Sequence, residues 1–158
     1  MKVQRVYIDT SVIGGCHDEE FAPWSTGLMK DFRLGNLSPV LSRMVAIEVA
    51  DAPEMVRRTY AEMLAQAHEM LEITLEATEL ADRYQQHGIL TPRFYDDGLH
   101  IALATIAEVD VLVSWNFRHI VHFDRIRLFN AVNMTQGFKT LQIYSPREVT
   151  SYGEEKDI

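Results

Sequence analysis

Residues 6–15, VYIDTSVIGG, set the terms on which this chain can fold. Val6, Tyr7 and Ile8, with Val3 just before them, have the β-branched and aromatic character of a buried strand. Polarity then arrives at once in Asp9, Thr10 and Ser11, ahead of a Gly14-Gly15 turn. Open α/β sheets bind ligands at the carboxyl edge of their strands, so an acid and two hydroxyls at that edge make a candidate site. The same three residues also suit a helix cap, since their side chains accept hydrogen bonds from unpaired helix amides. On this stretch alone both readings stand.

A second junction of the same kind comes late in the chain. The β-branched run 109–113 ends in Ser114, Trp115 and Asn116, and polarity again appears at a strand end. Between the two, apolar spacing predicts a helix over 18–34 through Phe21, Trp24, Leu28 and Phe32, a strand over 37–41, and a helix over 43–51 behind a Ser42 cap. Pro53 opens a longer helix to about residue 70, with Val56, Tyr60, Met63, Ala67 and Met70 on one face. That face is either core or a protein interface, a homodimer seam or a partner groove. A strand over 71–75, a helix over 76–87 and a mostly apolar helix opening at Asp96 and Asp97 follow. The remainder reads as a helix or broken helix over 119–134 and a last strand over 141–144. Strand, polar tip and helix recur in this order, so the expected fold is a three-layer α/β/α arrangement around a mainly parallel sheet of about four to five strands. The expected organisation is a single domain over 1–150, with 151–158 as a frayed tail.

Composition narrows the function. At 158 residues and 47% hydrophobic content the chain can bury a real core. Cys16 is the only cysteine, no apolar run nears the ~20 residues that span a bilayer, and the start shows no signal-peptide pattern. The expectation is a soluble cytoplasmic protein with no membrane partner. A net charge of −8 argues against gripping nucleic acid by bulk electrostatics. It does not exclude a nucleic-acid enzyme, because clustered carboxylates add negative charge that a divalent cation offsets, and residues 118–127 hold basic side chains for a local patch.

The acids converge if strands one and four are neighbours. Asp9 and the 114–116 turn then share an edge, the helix at Asp97 opens onto it, and Glu48 joins from the helix after strand two. The alternative for Glu48 is a solvent-facing position on a short helix. Three carboxylates together repel without a cation, so such a cluster calls for a metal. Oxygen ligands favour Mg²⁺ or Mn²⁺; the lone cysteine and scattered histidines give no zinc spacing. His100, one turn after Asp96 and Asp97, reads as a structural residue rather than a ligand.

The motifs VYIDTSVI, IEVAD, DGLHIALAT and LVSWNFRHI, in this order, resemble the PIN domain family of metal-dependent ribonucleases, many of them toxins of bacterial toxin-antitoxin pairs. Each motif is short, but the four in register cover nearly the whole chain, 6–149. The resemblance implies Asp9, Glu48 and Asp97 as catalytic and metal-binding residues. Asn116 stands where the family often has a fourth acid; an amide coordinates through its carbonyl but brings no charge. Asp96 is a substitute of lower rank. Thr10 or Ser11 would bond the phosphate or orient Asp9, and Arg118 would pair with a neighbouring phosphate. The implied reaction is hydrolysis of an RNA phosphodiester with Mg²⁺ or Mn²⁺, with a cognate antitoxin protein as partner. The competing reading is a catalytically degenerate PIN domain that binds nucleic acid or protein. A phosphatase using Asp9 as nucleophile would want an acid two residues on, where Ser11 stands.

Overall fold

The computed structural model describes residues 2–67 and 69–152. Five strands form one sheet: β1 (Gln4–Ile8), β2 (Leu37–Ser42), β3 (Glu69–Leu71), β4 (Val111–Val113) and β5 (Ile143–Tyr144). Their order is β3-β2-β1-β4-β5 and every pair is parallel. The helices are α1 (Thr10–Gly15), α2 (Ala22–Arg33), α3 (Arg43–Val49), α4 (Glu54–Gln66), α5 (Leu75–Gln86), α6 (Tyr95–Ile106), α7 (Phe123–Thr135) and α8 (Pro146–Val149). This is the expected three-layer α/β/α fold.

β1 is central, and its unbroken apolar run follows from burial on both faces. Successive side chains point to opposite sides of a strand. Tyr7 accordingly packs with Val40, Leu112 and the inner faces of α5, α6 and α7, while Val6 and Ile8 pack with Leu41, Val113 and the helices α1 to α4. At the amino end of the sheet Arg5 reaches across to Glu69 at 2.7 Å and to the carbonyls of Ala107 and Glu108. That bridge ties β1 to β3 and to the end of α6.

Several boundaries differ from the sequence expectation. The Gly14-Gly15 pair is no turn; it completes α1. Gly15 allows close packing, for a Cβ there would lie 2.6 Å from both Ser25 Oγ and Trp115 Nε1. The helix expected from Pro53 to residue 70 ends at Gln66, because Glu69, Met70 and Leu71 pair with Val40, Leu41 and Ser42 as β3. The strand expected over 71–75 is thus shifted toward the amino terminus, and Thr74 caps α5 by accepting from the Ala77 N–H. The apolar face of α4 belongs to the core: Val56 and Met63 are buried, with Tyr60, Ala67 and Met70 packed at the margin. That placement weighs against the interface alternative. The segment before α7 is a turn rather than helix, and the final strand is two residues long.

Ser151, at the start of the expected tail, is held by hydrogen bonds. Ser145 and Glu148 form a capping box that starts α8. Beyond it Asp31, 2% exposed, accepts hydrogen bonds from Thr150 Oγ1 and Ser151 N, both at 2.9 Å, and from the Ser151 hydroxyl. Residues 153–158, the rest of the tail, lie outside the described residues. Among the described residues no helix is long and apolar enough to cross a membrane.

The two glycines of α1 give opposite expectations. Gly14→Ala, with nothing within 4 Å of the new methyl, should stabilise the fold by about 0.5 to 1 kcal/mol through helix propensity. Gly15→Ala should destabilise it by about 1 to 3 kcal/mol, since Ser25 and the Trp115 ring must move. Urea unfolding of both variants measures the contrast. Burial works against the Asp31 charge, yet the bonds from Ser151, Thr150 and Asn36 outweigh it and hold its pKa below the ordinary value. Its contribution is therefore full above the unfolded-chain value of ~3.9 and is lost as pH falls through the lower folded value. Asp31→Asn should cost about 1 to 3 kcal/mol near pH 7, and the deficit should shrink in unfolding curves taken below about pH 4.

Candidate active site

The site begins where β1 and β4 end side by side. Ile8 is in register with Val113, so the next residues, Asp9 and Ser114, meet just past the sheet. Ser114 Oγ donates to Asp9 Oδ2 and Ser11 Oγ donates to Oδ1, each at 2.6 Å. Both hydroxyls are themselves held: Trp115 N donates to Ser11 Oγ and Asn116 N to Ser114 Oγ, each at 2.9 Å. Asp9 occupies the N-cap position of α1 but makes no side-chain capping bond. The capping alternative is thus removed. The carboxylate is 4% exposed, and burial pushes its pKa up against the opposing effects of His100 and the two hydroxyls.

Glu48 comes from α3, which Ser42 starts by accepting from Val45 N at 3.3 Å. Thr10 Oγ1 donates to Glu48 Oε1 at 2.8 Å, and His100 Nε2 lies 2.6 Å from the same oxygen. Glu48 therefore faces the sheet edge, and its solvent-side alternative fails. Burial opposes its charge, but the bond and charge of His100 and the Thr10 bond prevail and lower its pKa. On the other side of the imidazole, Nδ1 is 2.6 Å from the Tyr7 hydroxyl, which is 2.8 Å from Ser42 Oγ. This chain is satisfied with His100 neutral or protonated, because the Tyr7 and Ser42 hydroxyls can each reverse their donor roles. His100 is 2% exposed, as a structural residue would be, and its pKa is raised: burial lowers it, while the Glu48 bond and the charges of Asp9, Glu48 and Asp97 outweigh burial.

Asp97 reaches the edge from the first turn of α6. Its Oδ2 lies 2.9 Å from Nδ1 of His119, a buried ring packed 4.0 Å from that of Phe94. Asn116 does not point its carbonyl at the acids. Asn116 Oδ1 accepts from the His119 N–H at 2.9 Å and closes the turn after β4. Asp96 is exposed and its charge acts on Tyr95 instead.

Each of the three acids has a side-chain partner of its own, and Glu48 alone touches His100. Among the described residues no three His, Cys, Asp or Glu side chains are gathered to hold one metal ion. A dedicated cage is not built. The donor chemistry nonetheless fits a hard divalent ion, since Mg²⁺ keeps several waters and needs only one or two carboxylates. Asp9 and Glu48, whose charges couple, would be that pair. Thr10 and Ser11 spend their hydroxyls orienting Glu48 and Asp9, so they position acids rather than wait for phosphate. The sequence reading missed Ser114, Tyr7 and His119 as donors. Ser114 had a signal, its place beside Asp9 at the strand tip; the pairing of His119 with Asp97 had none.

No protein-family model matches the sequence, and no curated protein matches it either. Solved structures do. VapBC2 from Rickettsia felis, in a structure bound to a DNA fragment from its promoter, aligns with a TM-score of 0.56 at 14% identity over 89% of this chain and 98% of that one. FitAB bound to the IR36 DNA fragment gives 0.58 at 14% identity over 89% and 94%. FitAcB from Neisseria gonorrhoeae gives 0.56 at 14% identity over 91% and 99%. At this identity the likeness is one of fold, and the chain shares it along nearly its whole length: it has the PIN-like α/β/α architecture.

Proposed function

We propose that this protein is a Mg²⁺- or Mn²⁺-dependent endoribonuclease acting in the cytoplasm as the toxin of a toxin-antitoxin pair. The observation that supports this reading is the pair of held carboxylates at the carboxyl edge of a PIN-like sheet, Asp9 by Ser11 and Ser114 and Glu48 by Thr10 and His100. The neighbours VapBC2 and FitAB, each solved bound to a DNA fragment, support an antitoxin partner.

In this reading Asp9 and Glu48 would hold the ion, and Asp97 would add a third carboxylate to the edge. When bound, the ion supplies positive charge to the phosphoryl oxygen and lowers the pKa of a coordinated water. Ser11 and Ser114 fix both oxygens of Asp9, and Thr10 and His100 fix Glu48. The carboxylates are therefore aimed before substrate arrives, which is where preorganisation lowers a barrier. Arg118, exposed on the turn after β4, pairs with a phosphate of the strand. A second reading, a degenerate module that binds without cleaving, is favoured by one observation: Asn116 Oδ1 is committed to the His119 amide and brings no fourth charge.

A metal titration of RNA cleavage separates the two. The parent should cleave single-stranded RNA only with Mg²⁺ or Mn²⁺, and Asp9→Asn should lose about 100-fold or more of that rate. A parent silent at every metal concentration leaves the module reading. Cleavage surviving in Asp9→Asn places the reaction elsewhere. Because the Asp9 charge is buried at a cost, the same variant should melt higher than the parent in chelator, by roughly 1 kcal/mol in differential scanning calorimetry. Mn²⁺ at 100 times its dissociation constant should stabilise the parent by about 2.7 kcal/mol and the variant by much less.

A further inference from the structure

Next to Asp97, two arginines gather on one aromatic ring. The guanidinium carbon of Arg93 lies 5.5 Å from the Phe94 ring centroid and that of Arg118 lies 5.8 Å from it. Both arginines are exposed and the ring is half-buried. Phe94 also packs on His119 at 4.0 Å, and His119 bonds Asp97 at 2.9 Å. One side chain therefore separates the ring from an acid of the candidate site.

Two cations brought to one ring repel each other, and the ring attracts each only modestly. Of the other nine arginines, four have a carboxylate within 4 Å among the described residues. Arg5 pairs with Glu69, Arg43 with Glu72, Arg58 with Glu54, and Arg127 approaches Asp124. Among the described residues, Arg93 and Arg118 have no such carboxylate and their side-chain N–H groups make no hydrogen bond. Their charge and donors are left facing solvent beside a site otherwise made of acids. An anion with a flat, stackable group meets both unmet needs at once.

We propose that Arg93, Phe94 and Arg118 form a docking platform for single-stranded RNA that leads the strand to Asp97. A base stacks on the guanidinium planes backed by the Phe94 ring, and the adjoining phosphate sits between the two arginines. Only an unpaired base exposes its face in this way, so a duplex is excluded. With a net charge of −8 the chain has no bulk attraction for phosphate, so docking needs a local basic patch such as this one. The platform takes its strand chemistry from the nuclease reading above, and the experiment separates the two.

Fluorescence anisotropy of a labelled single-stranded RNA, measured on the full chain in chelator across a salt series, tests it, with Mn²⁺-dependent cleavage followed in parallel. The double variant Arg93→Ala, Arg118→Ala should lower the slope of log affinity against log salt by about 0.7, the share of the one phosphate that the pair no longer neutralises. Phe94→Leu, which keeps an apolar neighbour for His119, should weaken binding about tenfold by removing the stacking surface. Duplex RNA of the same sequence should bind more weakly than the single strand. Unchanged affinity and slope in both variants overturn the platform even if the parent cleaves RNA. So does equal binding of duplex, a parent that binds no RNA in chelator, or abolished cleavage at unchanged affinity. Variants that lose binding while the parent cleaves nothing uphold the platform and remove the nuclease reading.

Discussion

Asp9 is a charge placed where charge is costly. It stands at the tip of the central strand, 4% exposed, with β4 alongside and the apolar faces of α1 and β1 beneath it. A buried carboxylate persists only if both oxygens find donors. Here they find Ser11, at the start of α1, and Ser114, the matching residue at the end of β4. Those hydroxyls are in turn fixed by the amides of Trp115 and Asn116. The start of α1 and the first residue after β4 thus meet on this one side chain. The close approach at Gly15, which lets Trp115 Nε1 bond Ser25 Oγ at 2.8 Å, keeps the same turn against α1 and α2.

The second acid is built differently. Glu48 keeps a pKa below the ordinary value because His100 and Thr10 serve it, whereas the Asp9 carboxyl is pushed up by burial. Two acids with opposite shifts, the Glu48 charge acting on Asp9, make an electrostatically tense edge that a divalent cation would relieve. Tyr7 extends the same network into the core: its ring packs among α5, α6 and α7, and its hydroxyl joins Ser42 on β2 to His100 on α6. Core packing and site geometry meet in that residue, so a change at Tyr7 acts on both.

Much of this was legible in the sequence, for physical reasons that differ from residue to residue. The runs at 6–8 and 111–113 are apolar on both faces, which only a buried parallel strand requires, and their polar tips marked the edge. Ser42 and Thr74 were readable or nearly so, because a cap acts within three residues of itself. The boundary between α4 and β3 was not readable. Ala67 and Met70 continue a helical spacing, and only pairing with β2, some thirty residues away in sequence, draws 69–71 out of the helix. In the site, the acids could be named from local context. Their donors could not, since Ser114 and His119 reach Asp9 and Asp97 across 105 and 22 residues. Asn116 shows the limit of motif reading: its carbonyl is turned to its own chain, where it accepts from the His119 amide.

The central claim is that the carboxyl edge holds a divalent ion through Asp9 and Glu48. Electron paramagnetic resonance of Mn²⁺ added to the purified chain tests it most directly, because protein-bound ion loses the sharp signal of the free aquo ion. One saturable site is expected in the parent, greatly weakened in Asp9→Asn and weakened by about 10- to 100-fold in Thr10→Val, which removes only the hydroxyl that orients Glu48. Equal Mn²⁺ binding by the parent and Asp9→Asn would contradict it.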